Sequence, residues 1–227
     1  MTRIILVRHG ITDHNLEYRL SGWTDAPLNE VGVQQAECVA DRLEQLVRED
    51  NQVDGIYASP LQRAAQTAEI IANRLGLSVT CRDELKEMNF GVYDGVPITE
   101  LYETHKEMVD RALNPGDDEF GWEGGETRAE LYHRIEQAIR RIADNHPEQT
   151  VVIVTHAGAI AYFITGLLDK PLSHWNEYHV ANCSLTTVLW KDGRFELETH
   201  NETSHVPKEK FAQLIEEAKN RLGMKAV

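Results

Sequence analysis

The sequence predicts an α/β fold, a three-layer α/β/α sandwich with a mostly parallel sheet and a small inserted cap region. Continuous apolar runs at residues 4–7 and 150–155 are typical of strands that are buried on both faces, as in parallel sheets. Amphipathic helical patterns alternate with such runs, which favours helices on both faces of one sheet. Because the chain contains no internal repeat, linker or low-complexity tract, we expect a single domain over residues 1–227.

The elements of the first third of the chain carry clear boundary signals. Asn29 is placed to cap an amphipathic helix. Residues 53–58 and 78–81 predict a second strand and a short third strand. Between them, Ser59-Pro60-Leu61-Gln62 predicts a helix start, with Ser59 as the N-cap of a capping box, and Gly76 ends that helix.

Residues 83–125 are less regular, and we expect them to form the cap over one end of the sheet. They contain one predicted helix, around residues 99–113. The remaining predicted elements are a helix opened by a capping box at 127–130, a strand at 150–155 followed by an apolar helix to about 168, a hairpin of residues 184–190 and 194–199, and a last amphipathic helix at about 211–222.

The composition restricts the class of partner. Acidic residues outnumber basic residues by 37 to 23, which gives a net charge of −14. Such a surface repels nucleic acid and anionic lipid, so we expect neither nucleic acid nor a membrane as a partner. An anionic substrate would therefore need a local basic pocket.

The cysteines and the apolar segments indicate the compartment. Cys38, Cys81 and Cys183 are odd in number and unrelated in spacing, which predicts reduced thiols and neither a zinc site nor a disulfide framework. The apolar run near the amino terminus is too short for a signal peptide, and no stretch reaches the ~20 apolar residues of a membrane span. A cytoplasmic protein is expected. The sequence leaves open whether it forms a homo-oligomer.

Basic residues follow three of the predicted strands. Arg8 and His9 come at the end of the first strand, His156 at the end of the strand at 150–155, and Arg63 one turn after the second strand. Because ligands of open α/β sheets bind beyond the carboxyl ends of the strands, we expect these side chains to converge. Arginine forks and the free N–H groups of the helix after His156 would suit a phosphate.

Chemistry at such a pocket needs a nucleophile and an acid. His9 can attack phosphorus if its imidazole is neutral and its second ring nitrogen is held by a hydrogen bond. The leaving alcohol needs a proton, for which Glu87 is the first candidate and Glu84 the alternative. Apolar Met88 and Phe90 flank Glu87, and burial among them would keep its carboxyl protonated as a general acid.

Taken together, these blocks resemble the histidine phosphatase superfamily, the fold of phosphoglycerate mutase. They cover residues 3 to about 190 in the family's order and spacing, which makes the match specific. The matching blocks are Arg8-His9-Gly10-Ile11-Thr12 with Asn15; Ser21-Gly22-Trp23-Thr24-Asp25 with Leu28-Asn29 and Gly32; Ser59-Pro60-Leu61-Gln62-Arg63-Ala64 with Gln66-Thr67-Ala68; Glu87 with Phe90-Gly91 and Gly95; Gly124-Gly125-Glu126; and Val154-Thr155-His156-Ala157-Gly158.

The resemblance implies a role for each matching position. It implies a catalytic set in which His9 accepts the phosphoryl group and Glu87 donates and accepts the proton. The implied catalytic residues are His9, Glu87, Arg8, Arg63 and His156, and the implied substrate-binding residues are Arg8, Asn15, Ser21, Gly22, Arg63 and Ala157. It implies no metal and no cofactor, and a small phosphorylated metabolite as the partner.

Two features favour a phosphatase over a mutase. The arginine and tyrosine with which the mutases of this family grip a second phosphate are Met88 and Phe90 here, and the insertion is shorter. The alternatives are a cofactor-dependent phosphoglycerate mutase and a non-catalytic phospholigand-binding protein. The substrate stays open among sugar phosphates, phosphoglycerates, phosphoserine and nucleoside-linked esters. Two interpretations of the aromatic residues of 83–125 stay open. They line the leaving-group pocket, or they form a small core of the cap.

Overall fold

The computed structural model describes residues 1–48 and 52–224, which contain six strands and eight α-helices. The strands are β1 Thr2–Arg8, β2 Gly55–Ala58, β3 Val79–Cys81, β4 Thr150–Thr155, β5 Leu185–Lys191 and β6 Arg194–Glu202. The helices are α1 Asp13–Leu16, α2 Glu30–Arg48, α3 Gln62–Leu75, α4 Ile98–Thr104, α5 Lys106–Leu113, α6 Arg128–Asp144, α7 Ala157–Leu167 and α8 Lys208–Arg221.

The six strands form one sheet in the order β3-β2-β4-β1-β5-β6. The first four strands in this order run parallel, whereas β5 is antiparallel to β1 and β6 is antiparallel to β5. The turn of the β5–β6 hairpin uses Asp192 and Gly193 with φ angles of 50° and 76°, as a type I′ turn requires. The predicted mostly parallel sheet is therefore confirmed, and so is the hairpin.

Helices cover both faces of the sheet. Because successive side chains of a strand point to opposite faces, Ile4 and Leu6 of β1 pack with α6 and α7, and Ile5 and Val7 pack with α2 and α3. Two buried clusters result, one on each side of the sheet. This arrangement confirms the predicted three-layer α/β/α sandwich.

The segment between β3 and α6 contains two helices, α4 and α5, where we predicted one. The helical path breaks at His105, whose φ and ψ are −133° and 40°. The break brings Leu101 of α4 and Val109 of α5 into one small cluster with Tyr93, and the Tyr93 ring packs edge-on against His105 at 5.2 Å. Packing of this segment thus overrode its local helix propensity.

The carboxyl ends of β1, β2 and β4 meet at one edge of the sheet. Polar residues continue these strands: His9 after β1, Ser59 after β2 and His156 after β4. The N–H of Ser59 donates to Val154 of β4 at 3.0 Å, so the sheet holds this edge beyond the strand ends. This edge is where the sequence predicted the basic side chains to converge.

Candidate active site

His9 lies at the carboxyl end of β1 with 4% of its surface exposed. Its backbone N–H donates to the carbonyl of Thr155 at 3.0 Å. The ring nitrogen Nδ1 lies 2.7 Å from the carbonyl of Gly10, so we assign the ring proton to Nδ1 as the donor of this bond. The lone pair of Nε2 is then available to a substrate in the cleft that His9 lines.

His156 lies beside His9, with the ring centroids 5.1 Å apart and the rings inclined at 61°. Burial lowers the pKa of both imidazoles well below 6.5, and the positive charges of Arg63 and Arg8 lower both further. Both rings are therefore neutral at pH 7. A neutral imidazole is the form in which His9 can act as a nucleophile.

The hydroxyl of Ser59 orients His156. Ser59 Oγ accepts from the N–H of Leu61 at 3.3 Å and lies 2.8 Å from His156 Nε2. We assign the hydroxyl proton to the bond with Nε2, which leaves the ring proton of His156 on Nδ1. The predicted capping box at Ser59 is wrong, because α3 begins at Gln62 and Ser59 serves the histidine instead.

Asp25 takes over the capping role from a distant part of the chain. Its carboxylate accepts from the backbone N–H of Gln62 at 2.7 Å and from the Gln62 side-chain amide at 3.1 Å. A carboxylate at the start of α3 also faces the positive end of the helix dipole. The first turn of α3, which carries Arg63, is therefore fixed by tertiary contact.

Arg63 is 1% exposed and binds the backbone of the loop of residues 21–24. Its guanidinium donates to the carbonyls of Ser21 at 3.2 Å, Gly22 at 2.6 Å and Thr24 at 2.9 Å. Burial lowers the pKa of Arg63, and the charge of Glu87 opposes that effect. These bonds fix the guanidinium beside the two histidines.

Arg8 donates from Nη1 to the carbonyl of Val180 at 2.6 Å. Burial lowers its pKa to about 10, with the charge of Glu87 opposing. Arg8 therefore stays cationic at neutral pH. A second buried cation close to His9 gives this edge of an acidic protein the local positive charge that an anionic substrate needs.

Three buried N–H donors of this cluster have no hydrogen-bond partner among residues 1–48 and 52–224. They are Arg8 Nε, Arg63 Nε and His156 Nδ1. Buried donors are nearly always paired in native proteins, so three of them in one cluster indicate a ligand rich in acceptors. A phosphate group, with its several anionic oxygens, fits this donor set.

Glu87 is 6% exposed, and both oxygens of its carboxylate accept backbone hydrogen bonds. Oε1 accepts from Met88 at 2.9 Å and from Ala159 at 3.0 Å, and Oε2 accepts from Gly158 at 2.9 Å. The start of α7 thus binds Glu87, whereas we predicted that it would bind the substrate anion.

Gly158 has no side chain because the Glu87 carboxylate lies against its backbone. A Cβ at Gly158 would lie 2.4 Å from Glu87 Oε1, a distance that no real contact allows. The glycine of the His156-Ala157-Gly158 block therefore makes room for the Glu87 carboxylate. The sequence alone could not assign it this role.

The alternative acid, Glu84, lies outside the site. Its side chain is 44% exposed and pairs with Arg141 at 3.2 Å on the surface. Glu87 is the carboxyl group that lines the cleft with His9. The structure therefore places the first candidate, and not the alternative, in the same cleft as His9.

Arg134 of α6 holds the backbone that carries Glu87. It donates to the carbonyls of Lys86 at 2.9 Å and Glu87 at 3.1 Å, and its guanidinium pairs with the carboxylate of Glu126 at 2.7 Å. Glu126 in turn accepts from the N–H of Asn89 at 2.8 Å. This is the structural role of the Gly124-Gly125-Glu126 block.

We expect Arg134→Met to lower both activity and stability. The substitution removes the donor of the Lys86 carbonyl and the ion-pair partner of Glu126, which should reduce the free energy of unfolding by about 1–3 kcal/mol. Because Glu87 loses its positioning, kcat/KM for a phosphomonoester should fall by about tenfold or more. Urea unfolding and steady-state rates measure both effects. Arg141→Met, which breaks an exposed pair on the same helix, is the control and should change neither measurably; equal effects of the two variants would refute the assignment.

The other predicted substrate-binding residues differ in position. Asn15, Ser21 and Ala157 line the cleft, whereas Gly22 does not. Asn15 Oδ1 accepts from the N–H of Thr12 at 3.1 Å as part of the capping box of α1. Gly22 instead gives its carbonyl to Arg63 and supports the pocket from behind.

Sequence reasoning missed several residues of the site. Asn182 donates to the carbonyl of His9 at 3.0 Å, and Asp94 accepts from the N–H groups of Gly22, Trp23 and Thr24. His179, Tyr162 and Trp175 also line the cleft. None of these belongs to a block with a recognisable spacing, and only the path of the chain brings them to the site.

Acidification should destabilise the protein through His9 and His156. Their pKa values in the folded protein lie well below 6.5, whereas the unfolded chain restores ordinary values near 6.5. Below pH 6.5 the unfolded state then binds more protons, so the free energy of unfolding falls as the pH decreases. The slope is up to about 1.4 kcal/mol per pH unit for each histidine.

Urea unfolding of the wild type and of His156→Asn at pH 7, 6 and 5 measures this effect. The variant should show a shallower decline of the unfolding free energy below pH 6.5. His133→Asn, at an exposed position of α6, is the matched control and should keep the wild-type slope. An unchanged slope in His156→Asn would contradict a buried neutral imidazole.

The chain matches the model of the histidine phosphatase superfamily (branch 1) over residues 4–203. A curated relative from Yersinia pestis, described as a probable phosphoglycerate mutase GpmB, is 30% identical over 216 residues, which is 91% of this chain and 95% of the relative. Similarity therefore extends over nearly the whole chain.

Solved structures are similar over a comparable extent. YhfR of Bacillus stearothermophilus has a TM-score of 0.84 at 29% identity and covers 91% of this chain and 100% of its own. Phosphoserine phosphatase of Entamoeba histolytica, in complex with phosphoserine, has a TM-score of 0.79 at 31% identity, covering 91% and 100%. The mycobacterial glucosyl-3-phosphoglycerate phosphatase with VO3 has a TM-score of 0.78 at 28% identity, covering 88% and 99%.

The α/β/α fold, with histidines and arginines at the carboxyl edge of its sheet, defines a class of enzymes that act on phosphate groups. Within that class, the chain belongs to the histidine phosphatase superfamily. The predicted family is thus confirmed. The phosphatases among its structural neighbours support a phosphoglycerate mutase-like phosphatase, and the curated relatives keep the mutase as the alternative.

Proposed function

We propose that the protein is a phosphatase that hydrolyses small phosphomonoesters through a phosphohistidine on His9. One observation carries the proposal: His9, with Nδ1 held by Gly10, lines a cleft together with Arg8 and Glu87, and the buried side chains of His156 and Arg63 lie next to His9. Among these groups, unpaired donors can take the phosphate oxygens. The other groups supply a nucleophile and a carboxyl for proton transfer.

The first half of the reaction transfers the phosphoryl group to the enzyme. Nε2 of His9 attacks phosphorus while the bond from phosphorus to the ester oxygen breaks. Glu87 in its protonated form gives the proton that the leaving oxygen needs. Arg8, Arg63 and His156 stabilise the charge on the oxygens of the transferred group.

The second half returns the enzyme to its starting state. Water attacks phosphorus, Glu87 accepts a proton from it, and the bond between phosphorus and Nε2 breaks. Inorganic phosphate leaves and His9 is neutral again. The backbone donors of Gly158 and Ala159 hold the Glu87 carboxyl group in place for both halves of the reaction.

Hydrolysis, not transfer, is favoured by the residues beside Glu87. Met88 is 2% exposed and Phe90 packs edge-on against Trp122 at 4.9 Å, and both line the cleft. Neither side chain can grip a second phosphate, as a mutase requires. The curated relatives described as probable phosphoglycerate mutases make the mutase the second candidate.

Trapping the intermediate tests the mechanism. After mixing with 4-nitrophenyl phosphate and quenching with base, we expect phosphate on His9 that is stable to base and lost in acid, located by mass spectrometry. A phosphatase should release stoichiometric phosphate without a bisphosphate primer. A mutase would need the primer and release little phosphate, and a non-catalytic binding protein would give no labelled His9.

The wider setting of the activity belongs to the same proposal. We infer a single domain over residues 1–227, with a cap at about 83–125, in a cytoplasmic protein that acts on a small phosphorylated metabolite. Cys38, Cys81 and Cys183 are free thiols, which supports a reducing compartment. In the described ranges 1–48 and 52–224, no helix has the length and apolar character to cross a membrane. Sedimentation of the purified protein would establish whether it forms a homo-oligomer.

A further inference from the structure

We propose that the preferred substrate carries a flat apolar group on its alcohol side and no second anionic group. This inference rests on the proposed function, because the phosphate end of the substrate is placed at His9. The cleft that begins at His9 has a volume of about 490 Å³, within the range of sites for small organic ligands. The part of the cleft away from His9, which we call its far side, is therefore where the leaving group would lie.

Aromatic rings form much of that far side. Phe90 and Phe120 both pack edge-on against Trp122, at centroid distances of 4.9 and 5.1 Å, and all three line the cleft. Tyr162 and Trp175, which also line it, stack at 5.5 Å with their planes inclined at 21°. Because these rings pack against one another, their orientations are fixed. An aromatic or flat aliphatic group can therefore make shape-specific contacts with them.

Apolar side chains remain exposed where the cleft opens. Tyr18, Ile98, Tyr102 and Leu113 are among the most exposed large hydrophobic residues of the described chain, with 56%, 37%, 46% and 46% of their surfaces accessible, and all four line the cleft. Exposed apolar side chains that cluster at one site mark a surface that a ligand covers. Contact with an apolar leaving group would bury them.

The same walls offer a second anion only cations that already have partners. Among the described residues that line the cleft, the charged ones are Arg8, Arg19 and Glu87. Arg8 belongs to the phosphate pocket. Arg19 pairs with Glu17 and donates to the carbonyl of Gly95 at 3.0 Å. The carboxylate of phosphoserine or 3-phosphoglycerate would therefore lose water and meet a cation whose charge Glu17 already balances, at a cost in affinity.

Three alkyl phosphates with similar leaving alcohols test the preference: 3-phenylpropyl phosphate, propyl phosphate and 3-phosphoglycerate. Because the alcohols resemble one another in reactivity, differences in kcat/KM report contacts with the leaving group. We expect kcat/KM for the phenylpropyl ester to exceed both others by at least about tenfold, the effect of burying one phenyl group. Similar kcat/KM values for all three esters would overturn the inference and leave the phosphatase intact.

A charge placed at the mouth tests the second half of the inference. Leu113→Lys adds a cation that has no acidic partner among the residues lining the cleft mouth, and the exposed position tolerates the change. The ratio of kcat/KM for 3-phosphoglycerate to that for the phenylpropyl ester should rise by about fivefold. Val33→Lys, at a 41% exposed position of α2 away from the cleft, adds the same charge and should leave the ratio unchanged. An equal rise in both variants would mean that net charge, not the cleft, sets the preference.

Binding separates this inference from the proposed function. Calorimetry with 3-phenylpropylphosphonate and propylphosphonate, which cannot be hydrolysed, should show about tenfold tighter binding of the phenyl compound. If no ester is hydrolysed but this difference in binding holds, the phosphatase proposal fails and the apolar cleft stands. Equal affinities for the two phosphonates would overturn the inference whatever the enzyme hydrolyses.

Discussion

Replacement of His9 by alanine should abolish hydrolysis of 4-nitrophenyl phosphate, with a fall in kcat of at least about 10⁴-fold. We expect no second nucleophile among residues 1–48 and 52–224 to replace it, because Nε2 of His156 is engaged by Ser59. The loss should appear in kcat, since Arg8 and Arg63 still bind phosphate. Single-turnover rates and phosphate release measure it.

Two controls give this result its meaning. His14→Ala changes a nearby histidine whose Nδ1 lies 3.2 Å from Ser21 Oγ but which does not line the cleft, and it should lower the rate less than tenfold. Thermal unfolding of His9→Ala should remain cooperative, which excludes loss of the fold as the cause. Retention of wild-type turnover in His9→Ala would contradict the phosphohistidine mechanism.

Glu87→Gln should lower kcat/KM by about 10²–10⁴-fold, the usual contribution of a positioned acid or base. The effect should depend on the leaving group. Phenylpropyl alkoxide needs a proton as it leaves, whereas 4-nitrophenolate does not, so the alkyl ester should suffer the larger loss in the first half of the reaction. Comparison of the two esters in burst kinetics separates phosphorylation of His9 from its hydrolysis.

Glu84→Gln is the matched control, because it removes the neighbouring carboxylate from an exposed pair with Arg141. Its activity should equal that of the wild type. Equal losses for the alkyl and the aryl ester in the phosphorylation step of Glu87→Gln would argue against proton donation. Glu87 would then keep its role as the base of the second half and its bonds to Gly158 and Ala159 at the start of α7.

Local sequence patterns determined much of the fold. The buried strand at 150–155, the hairpin turn at Asp192-Gly193 and the capping box of Thr127 and Glu130 all form as predicted. Each depends on residues within a few positions of one another, so each can be predicted from the local sequence. The order of the blocks also indicated which residues meet at the sheet edge, because parallel strands end together.

Local patterns failed where a distant residue competed for the same group. Ser59 fits a capping box, yet its hydroxyl meets His156 from another strand, and Asp25 caps α3 instead. The first turn of α7 fits an anion site, yet its N–H groups take the Glu87 carboxylate. In both cases a residue distant in the sequence binds the group for which the local pattern predicted another partner.

By itself, the sequence determined the family, the layered fold and the set of groups at the strand ends, since these follow from periodicity and from the spacing of short blocks. Only the tertiary structure decided which ring nitrogen of His9 is free, that Glu87 and not Glu84 lines the same cleft, and that aromatic rings form much of the wall of that cleft. Proton placement, pKa and pocket shape depend on burial and on contacts between residues far apart in the chain. No local spacing encodes those contacts.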